Sequence, residues 1–154
     1  MKKTLAILLL VLAAFLASCA PKFTTYSDGA FSVDYPAWKA VAVPNANAVV
    51  NVVSANCAVR VDKIKIGPLG FEGAAKILLQ IAKNSGSFVS ISEDITASYA
   101  NIDYKVGVAG TQAQVSLKAK NCGENAYAVS FSCKETQFQK NSNLMNQVFG
   151  SMKC

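Results

Sequence analysis

Residues 102–133, IDYKVGVAGTQAQVSLKAKNCGENAYAVSFSC, decide the fold of this chain because apolar and polar side chains alternate through three consecutive stretches. Successive side chains of a strand point to opposite faces, so this period predicts half-buried strands. The predicted strands span residues 102–108, 112–120 and 126–133. Turns are predicted at Ala109-Gly110 and at Gly123-Glu124-Asn125, because glycine tolerates tight-turn backbone. The stretch is therefore predicted to be the meander of an antiparallel sheet.

The meander is predicted to have one apolar face and one polar face. The apolar face would carry alternate residues of each strand, including Ile102, Leu117 and Phe131. Helices covering the opposite face would need apolar side chains there, so that face is predicted to be open to solvent. It is the candidate interaction face, and its residues are Gln112, Gln114, Ser116, Lys118 and Ser130.

The rest of the chain adds shorter strands and two main helices. Tyr26 and Phe31 flank an Asp28-Gly29 turn, which indicates a hairpin. Alternation slips between Val61 and Ile64, which indicates either a bulge or a change of buried face. Further strands are predicted over 31–35, 41–43, 48–53 and 57–66, a strand over 88–97 is predicted to begin the meander, and helices are predicted over 71–83 and 138–152. The predicted fold class is α+β, an antiparallel β-sheet meander with two main helices.

The segment Phe31-Ser-Val-Asp-Tyr-Pro-Ala-Trp38 resembles the opening of the PsbP-like family. The order of strands, central helix, meander and terminal helix over residues 26–152 is similar as well. The resemblance implies a noncatalytic α/β sandwich that docks to a larger assembly. We carry over the fold and not the photosynthetic role, because one fold hosts unrelated functions. Trp38 and Tyr35 are expected to be core residues.

The N-terminus is similar to a bacterial lipoprotein signal. Lys2 and Lys3 precede an apolar run over 5–16, which is shorter than the roughly 20 residues of a membrane span. The run ends in Leu16-Ala17-Ser18-Cys19, which resembles a lipobox with Cys19 as the lipidated residue. We expect a signal peptide at 1–18, a lipidated tether at 19–25 and one domain at 26–154. The alternative is an ordinary cleaved signal peptide.

Lipidation of Cys19 predicts a membrane-anchored protein of the cell envelope, because two or more acyl chains anchor stably. Ala20 favours the outer membrane over inner-membrane retention, with the domain in the periplasm. Without Lys2 and Lys3, 13 basic residues stand against 9 acidic ones, a net charge of +4. These charges form no cluster, and export argues against a nucleic-acid partner.

The sequence lacks the residues that several common classes of catalytic and metal site require. The chain has no histidine, which excludes imidazole-based catalysis and histidine-ligated zinc. It also has no Cys-x-x-Cys and no Ser-x-x-Lys sequence. We therefore predict no catalytic residue, metal or cofactor. The remaining enzyme hypothesis is the acidic group Glu93, Asp94 and Asp103, but neighbouring Glu93 and Asp94 would point to opposite faces of a strand.

Four cysteines remain in the domain, and an even number in an exported protein indicates two disulfides with three possible pairings. Alternating strand directions place Cys122 and Cys133 at opposite ends of a hairpin, too far apart for a bridge. The predicted pairs are therefore Cys57–Cys133 and Cys122–Cys154. The alternative, a reactive thiol, has no neighbouring group to lower its pKa.

Two functions remain after these exclusions. The first is a noncatalytic accessory or interaction module of the envelope that binds a protein partner. The second is a carrier of a small ligand or lipid, because apolar residues on a curved sheet beneath helices can enclose a cavity. The sequence alone does not distinguish a cavity from a filled core.

Overall fold

The structure, a computed structural model, describes residues 21–42, 47–84, 87–108 and 110–154. The predicted signal peptide and Cys19 lie outside the described residues. The described residues form nine strands, with bounds β1 Phe23–Ser27, β2 Ser32–Pro36, β3 Lys39–Ala40, β4 Ala48–Val53, β5 Cys57–Lys65, β6 Phe88–Ile95, β7 Tyr99–Val108, β8 Thr111–Cys122 and β9 Asn125–Lys134. The helices are α1 Gly70–Lys83, α2 Glu135–Phe138, a 3-10 turn Gln139–Asn141 and α3 Ser142–Gly150.

Seven of these strands form one antiparallel sheet in the order β3-β4-β5-β9-β8-β7-β6, and β1 and β2 form a separate hairpin. The predicted meander is therefore confirmed as β6 to β9. β9 returns to pair with β5, so the crossover through α1 places β3, β4 and β5 on one side of the meander. The α+β fold class is likewise confirmed.

The loop between β8 and β9 determines which residues share a face. It contains only Gly123 and Glu124, and Gly123 has a φ of +87°. The sequence prediction used a three-residue turn, and a register change of one residue moves every side chain of a strand to the other face. Leu117 consequently lies opposite Ser130 and not opposite Phe131. The apolar sides of β8 and β9 therefore face opposite ways.

Both faces of the large sheet are covered over β8 and β9, so the predicted open polar face is wrong there. On one face, α2, α3 and the β1–β2 hairpin pack against the apolar side of β9. On the other face, α1 packs against the apolar sides of β7 and β8. The fold thus contains two cores separated by the sheet, and each strand contributes to them on alternate residues.

The first core is aromatic and tightly packed. The Phe31 ring stacks on Tyr127 with centroids 4.5 Å apart, and Phe138 meets Phe131 edge-on at 6.5 Å. Offset and edge-on arrangements suit the quadrupoles of aromatic rings. Trp38 lies 6.2 Å from Phe131. Trp38 and Tyr35 are partly buried against this core, as expected of core residues.

Strand β5 connects the two cores. Its pairing with β9 runs without a shift from Cys57 to Lys65, so there is no bulge in this ladder. Val61 belongs to the first core, whereas Ile64 packs against the second. The broken alternation between these residues therefore marks a change of buried face.

Three segment boundaries differ from prediction. β1 begins at Phe23, where its pairing with Pro36 starts, so the folded part of the chain begins before residue 26. The strand expected over 41–43 lies earlier, at Lys39–Ala40, which pairs with β4. The Val41 N–H still donates to Asn51 O at 3.0 Å, and residues 43–46 lie outside the described residues. The helix expected over 138–152 begins earlier and is interrupted by a 3-10 turn.

Both cysteine pairs lie at disulfide distance. The sulfurs of Cys57 and Cys133 are 2.00 Å apart, and those of Cys122 and Cys154 are 2.01 Å apart. Cys57 and Cys133 are direct partners in the β5–β9 ladder. The second pair joins the chain end to the end of β8. These are the pairs that strand direction alone predicted.

Candidate functional site

The main candidate site is an apolar cavity of about 120 Å³ between α1 and the sheet. Its walls come from the second core, where small side chains of the sheet face small side chains of the helix. Because an alanine ends at Cβ, opposed alanines leave space that longer side chains would fill. The described lining contains six alanines, namely Ala74, Ala75, Ala100, Ala119, Ala126 and Ala128.

Helix α1 holds one wall of the cavity in place. Glu72 lies in its first turn and Lys83 in its last, which suits the helix dipole. Lys76 Nζ lies 2.5 Å from Glu72 Oε1 on the solvent side, at i,i+4 spacing. Phe71 and Leu79 are buried toward the sheet. Both side chains line the cavity, together with Ala74 and Ala75 of the same helix.

The far wall carries the one hydroxyl of the described lining. Tyr104, on β7, stacks on Phe88 of β6 with ring centroids 4.7 Å apart. Burial raises the pKa of the Tyr104 hydroxyl above its ordinary value, so the group stays protonated at neutral pH. A ligand in this cavity would meet apolar atoms nearly everywhere and one hydrogen-bonding group.

A polar groove adjoins the cavity along the contact of α1 with β6. Leu79 lines both spaces. Lys83 Nζ lies 2.7 Å from Glu93 Oε1 across the groove. This lysine, followed by the Ser90 hydroxyl, lowers the pKa of Glu93. The groove residues are Lys76, Leu79, Gln80, Lys83, Glu93 and Ile95.

The structure divides the residues of the predicted interaction face. Those residues are Gln112, Gln114, Ser116, Lys118 and Ser130. Gln112 and Lys118 are exposed, but Ser116 is buried on a strand that α2 contacts. Lys118 Nζ lies 5.2 Å from the centre of the Phe149 ring in α3. Ser130 is on the opposite face of the sheet. The five residues therefore do not form one open surface.

The three acidic residues weighed for an enzyme have separate partners. Asp94 accepts a hydrogen bond from the Tyr99 hydroxyl at 2.9 Å, and Asp103 accepts one from the Ser92 hydroxyl at 2.9 Å. Glu93 is paired in the groove described above. Glu93 and Asp94 occupy successive positions of β6, on opposite faces. The structure does not bring the three carboxylates together.

Sequence reasoning missed a partly exposed polar cluster at the β1–β2 turn. Asp28 Oδ2 accepts hydrogen bonds from Tyr127 Oη at 2.6 Å and Lys63 Nζ at 2.7 Å, and Oδ1 accepts the Phe31 N–H. Lys63, and then Tyr127, hold the pKa of Asp28 well below its usual range. The partners of this carboxylate are protein groups, so the cluster fastens the hairpin to the sheet. The Asp-Gly turn was the signal that could have located it.

Within 21–42, 47–84, 87–108 and 110–154, no three carboxylate or cysteine side chains cluster closely enough to hold a metal ion. In the same part of the chain, none of the helices combines the length and hydrophobicity needed to cross a bilayer.

No protein-family model matches the sequence, and no curated protein matches it. Solved structures do match the fold. Cyanobacterial PsbP from Synechocystis sp. PCC 6803 is 17% identical, with a TM-score of 0.65 over 87% of this chain and 93% of that one. The Ran-binding protein Mog1p of Saccharomyces cerevisiae is 8% identical, with a TM-score of 0.59 over 87% of this chain and 96% of that one.

A protein of unknown function from Pseudomonas aeruginosa also matches, at 11% identity and a TM-score of 0.50 over 82% of this chain and 93% of that one. The fold is therefore PsbP-like, as the Phe31–Trp38 segment suggested. These identities are low, so the likeness concerns the fold alone.

Proposed function

We propose that the protein is a membrane-anchored envelope lipoprotein whose domain is a noncatalytic accessory or interaction module in the periplasm, held at the outer membrane. The observation that carries the proposal is the lipobox at Leu16–Cys19, followed almost at once by a folded domain. β1 begins at Phe23, four residues after Cys19. A fully extended chain of that length reaches about 14 Å.

So short a tether restricts where the domain can act. The polar headgroup region on each side of a bilayer is about 5–8 Å thick. Lipidation at Cys19 would therefore keep the β1–β2 hairpin beside the headgroups. A binding partner would have to be membrane-embedded, or itself close to the membrane surface.

Mass spectrometry of the protein purified from membranes tests the lipidation. We expect the N-terminal peptide to begin at Cys19 and to carry diacylglyceryl and amide-linked acyl groups. A peptide that begins at another residue, or that begins at an unmodified Cys19, would show an ordinary signal peptide and contradict the proposal.

A second function, the carrying of a small apolar ligand, is favoured by the cavity beneath α1. An engineered apolar cavity of about 150 Å³ stays dry and binds benzene. The cavity here is of similar size, at about 120 Å³. Native mass spectrometry of protein purified without detergent tests this function. Copurifying small-molecule mass would support it, and its absence even after soaking with benzene would contradict it.

A further inference from the structure

Resting on the proposed lipid anchor at Cys19, we propose that one end of the domain docks on the surface of the membrane that holds the anchor. We call this surface the basic end. Its lysines contact anionic headgroups, and its exposed aromatic side chains enter the interfacial layer. The residues of the basic end are Lys22, Phe23, Trp38, Lys39 and Lys134.

The first part of the basic end is built where the β1–β2 hairpin leads into β3. Phe23 pairs with Pro36, and the Ala37 N–H donates a hydrogen bond to Lys22 O at 2.8 Å. Lys39 begins β3 two residues after Ala37. Lys22 and Lys39 are therefore held close to each other at the end of the hairpin that lies nearer to Cys19.

The second part of the basic end is built where β5 begins. Lys39 pairs with Val53 at the end of β4. The β4–β5 turn follows, and Asn56 O in that turn accepts a hydrogen bond from the Lys134 N–H at 3.0 Å. Lys134 thus lies at the same end of the molecule as Lys39.

The three lysines of the basic end have no carboxylate partner. All three are exposed, and no ion pair joins any of them to another residue within the ranges that the structure describes. Glu135, which follows Lys134, is paired with Lys105 at 2.5 Å. Asp34, farther along β2, accepts a hydrogen bond from the Thr25 hydroxyl at 2.6 Å. The basic end therefore presents three positive charges that can contact headgroup phosphates.

Aromatic side chains accompany these charges. Phe23 is 37% exposed. Trp38 is only partly buried against the first core, with its ring 6.2 Å from Phe131. Tryptophan is enriched at membrane–water interfaces, and binding to a membrane surface strengthens with the apolar area that enters it and with attraction to anionic lipids. The basic end supplies both contributions.

The position of the anchor distinguishes this end of the domain from the other. Lys65 and Lys153 are also exposed, but they lie at the opposite end. Lys65 ends the strand that Cys57 begins, and a strand of that length spans about 27 Å. Lys22 is the third residue after Cys19, and an extended chain of three residues spans about 10 Å. Lipidation at Cys19 therefore brings the basic end to the headgroups.

Sedimentation with vesicles measures the docking without the anchor. The protein is the mature chain with Cys19→Ser, oxidised, and the vesicles contain phosphatidylcholine with or without phosphatidylglycerol. Each lysine near an anionic surface strengthens binding about fivefold, which is about 1 kcal/mol. The triple variant Lys22→Gln, Lys39→Gln, Lys134→Gln should therefore bind phosphatidylglycerol vesicles about 100-fold more weakly.

A matched control variant removes the same number of charges away from the basic end. It carries Lys65→Gln, Lys76→Gln and Lys153→Gln, at positions that are all exposed. Charges farther from the surface than the Debye length, about 8 Å at 0.15 M ionic strength, are largely screened. The control should therefore weaken vesicle binding less than about threefold. Both variants should unfold at similar temperatures, which excludes misfolding as the cause of a difference.

Quenching of Trp38 in the lipidated protein measures the orientation. Trp38 is the single tryptophan of the chain, so tryptophan fluorescence reports on the basic end alone. In phosphatidylglycerol vesicles that contain headgroup-spin-labelled lipid, we expect stronger quenching in the natural sequence than in the triple variant. Salt at about 1 M, where the Debye length is about 3 Å, should remove that difference. Equal quenching of both proteins at low salt would overturn the docking.

The outcomes separate the docking from the anchor on which it rests. Equal vesicle binding by the natural sequence and the triple variant, or an equal loss in the control variant, would overturn the docking. Binding to native membranes but not to protein-free vesicles would indicate a protein partner and would also overturn it. The anchor would stand in each case if mass spectrometry finds Cys19 lipidated. An unmodified Cys19, with lysine-dependent vesicle binding retained, would contradict the anchor alone.

Discussion

Filling the cavity beneath α1 should stabilise the ligand-free protein. Ala119 lies on β8, is 7% exposed and faces the cavity. Ala119→Val adds two methyl-sized groups, worth about 0.8 kcal/mol each when buried. We expect a gain of about 1.6 kcal/mol in the free energy of unfolding.

Urea denaturation and calorimetry of the oxidised, ligand-free protein measure this gain. A change of that size raises the Tm of a domain of this length by about 5 °C. Ala113→Val is the matched control on the same strand and should change the free energy of unfolding by about 0.5 kcal/mol or less. A loss of about 1 kcal/mol or more in Ala119→Val would mean overpacking, and the cavity argument would be refuted.

Two further predictions concern interactions that stabilise the first core, namely those of the Asp28 carboxylate and the Cys57–Cys133 disulfide. Asp28 has a lowered pKa in the folded protein, so its stabilising effect is present above the unfolded pKa of about 4 and is lost as the pH falls below it. Asp28→Asn should therefore lower the free energy of unfolding at pH 7 and reduce the decline of that free energy between pH 4 and pH 2, as followed by circular dichroism. A parallel decline in both proteins would contradict the assignment. Cys57→Ala with Cys133→Ala opens a bridge between residues 76 apart, which should cost about 4 kcal/mol in urea denaturation; an unchanged midpoint would argue against this pair.

The direction of each strand could be predicted from the sequence. Which face of the sheet its odd- and even-numbered residues occupy, relative to the neighbouring strand, could not. The cysteine pairs needed only the knowledge of which strand ends are neighbours, which alternating directions provide. Assigning the residues of β8 and β9 to a common face requires the exact length of the turn at Gly123. An error of one residue in that length placed Ser130 on the wrong face of the sheet. Alternation within a strand fixes its own two faces, but it does not give their relation to the next strand.

The cavity escaped prediction for a different reason. Ala119 falls on the predicted apolar face and Ala126 on the predicted polar face, and alanine is equally compatible with close helix packing and with empty space. The outcome depends on how far Phe71 and Leu79 hold α1 from the sheet, which is a property of the assembled fold. The signal was the concentration of alanines on both the helix and the facing strands.

Membrane fractionation tests the proposed lipid anchor at Cys19 most directly. The comparison is between the natural protein and a variant in which an ordinary cleavable signal replaces residues 1–18 and Cys19 is changed to Ala. We predict that the natural protein stays with the membranes through washes in high salt and is released by detergent. The variant should be found in the soluble periplasmic fraction. An equal membrane-bound share of both proteins would contradict the anchor.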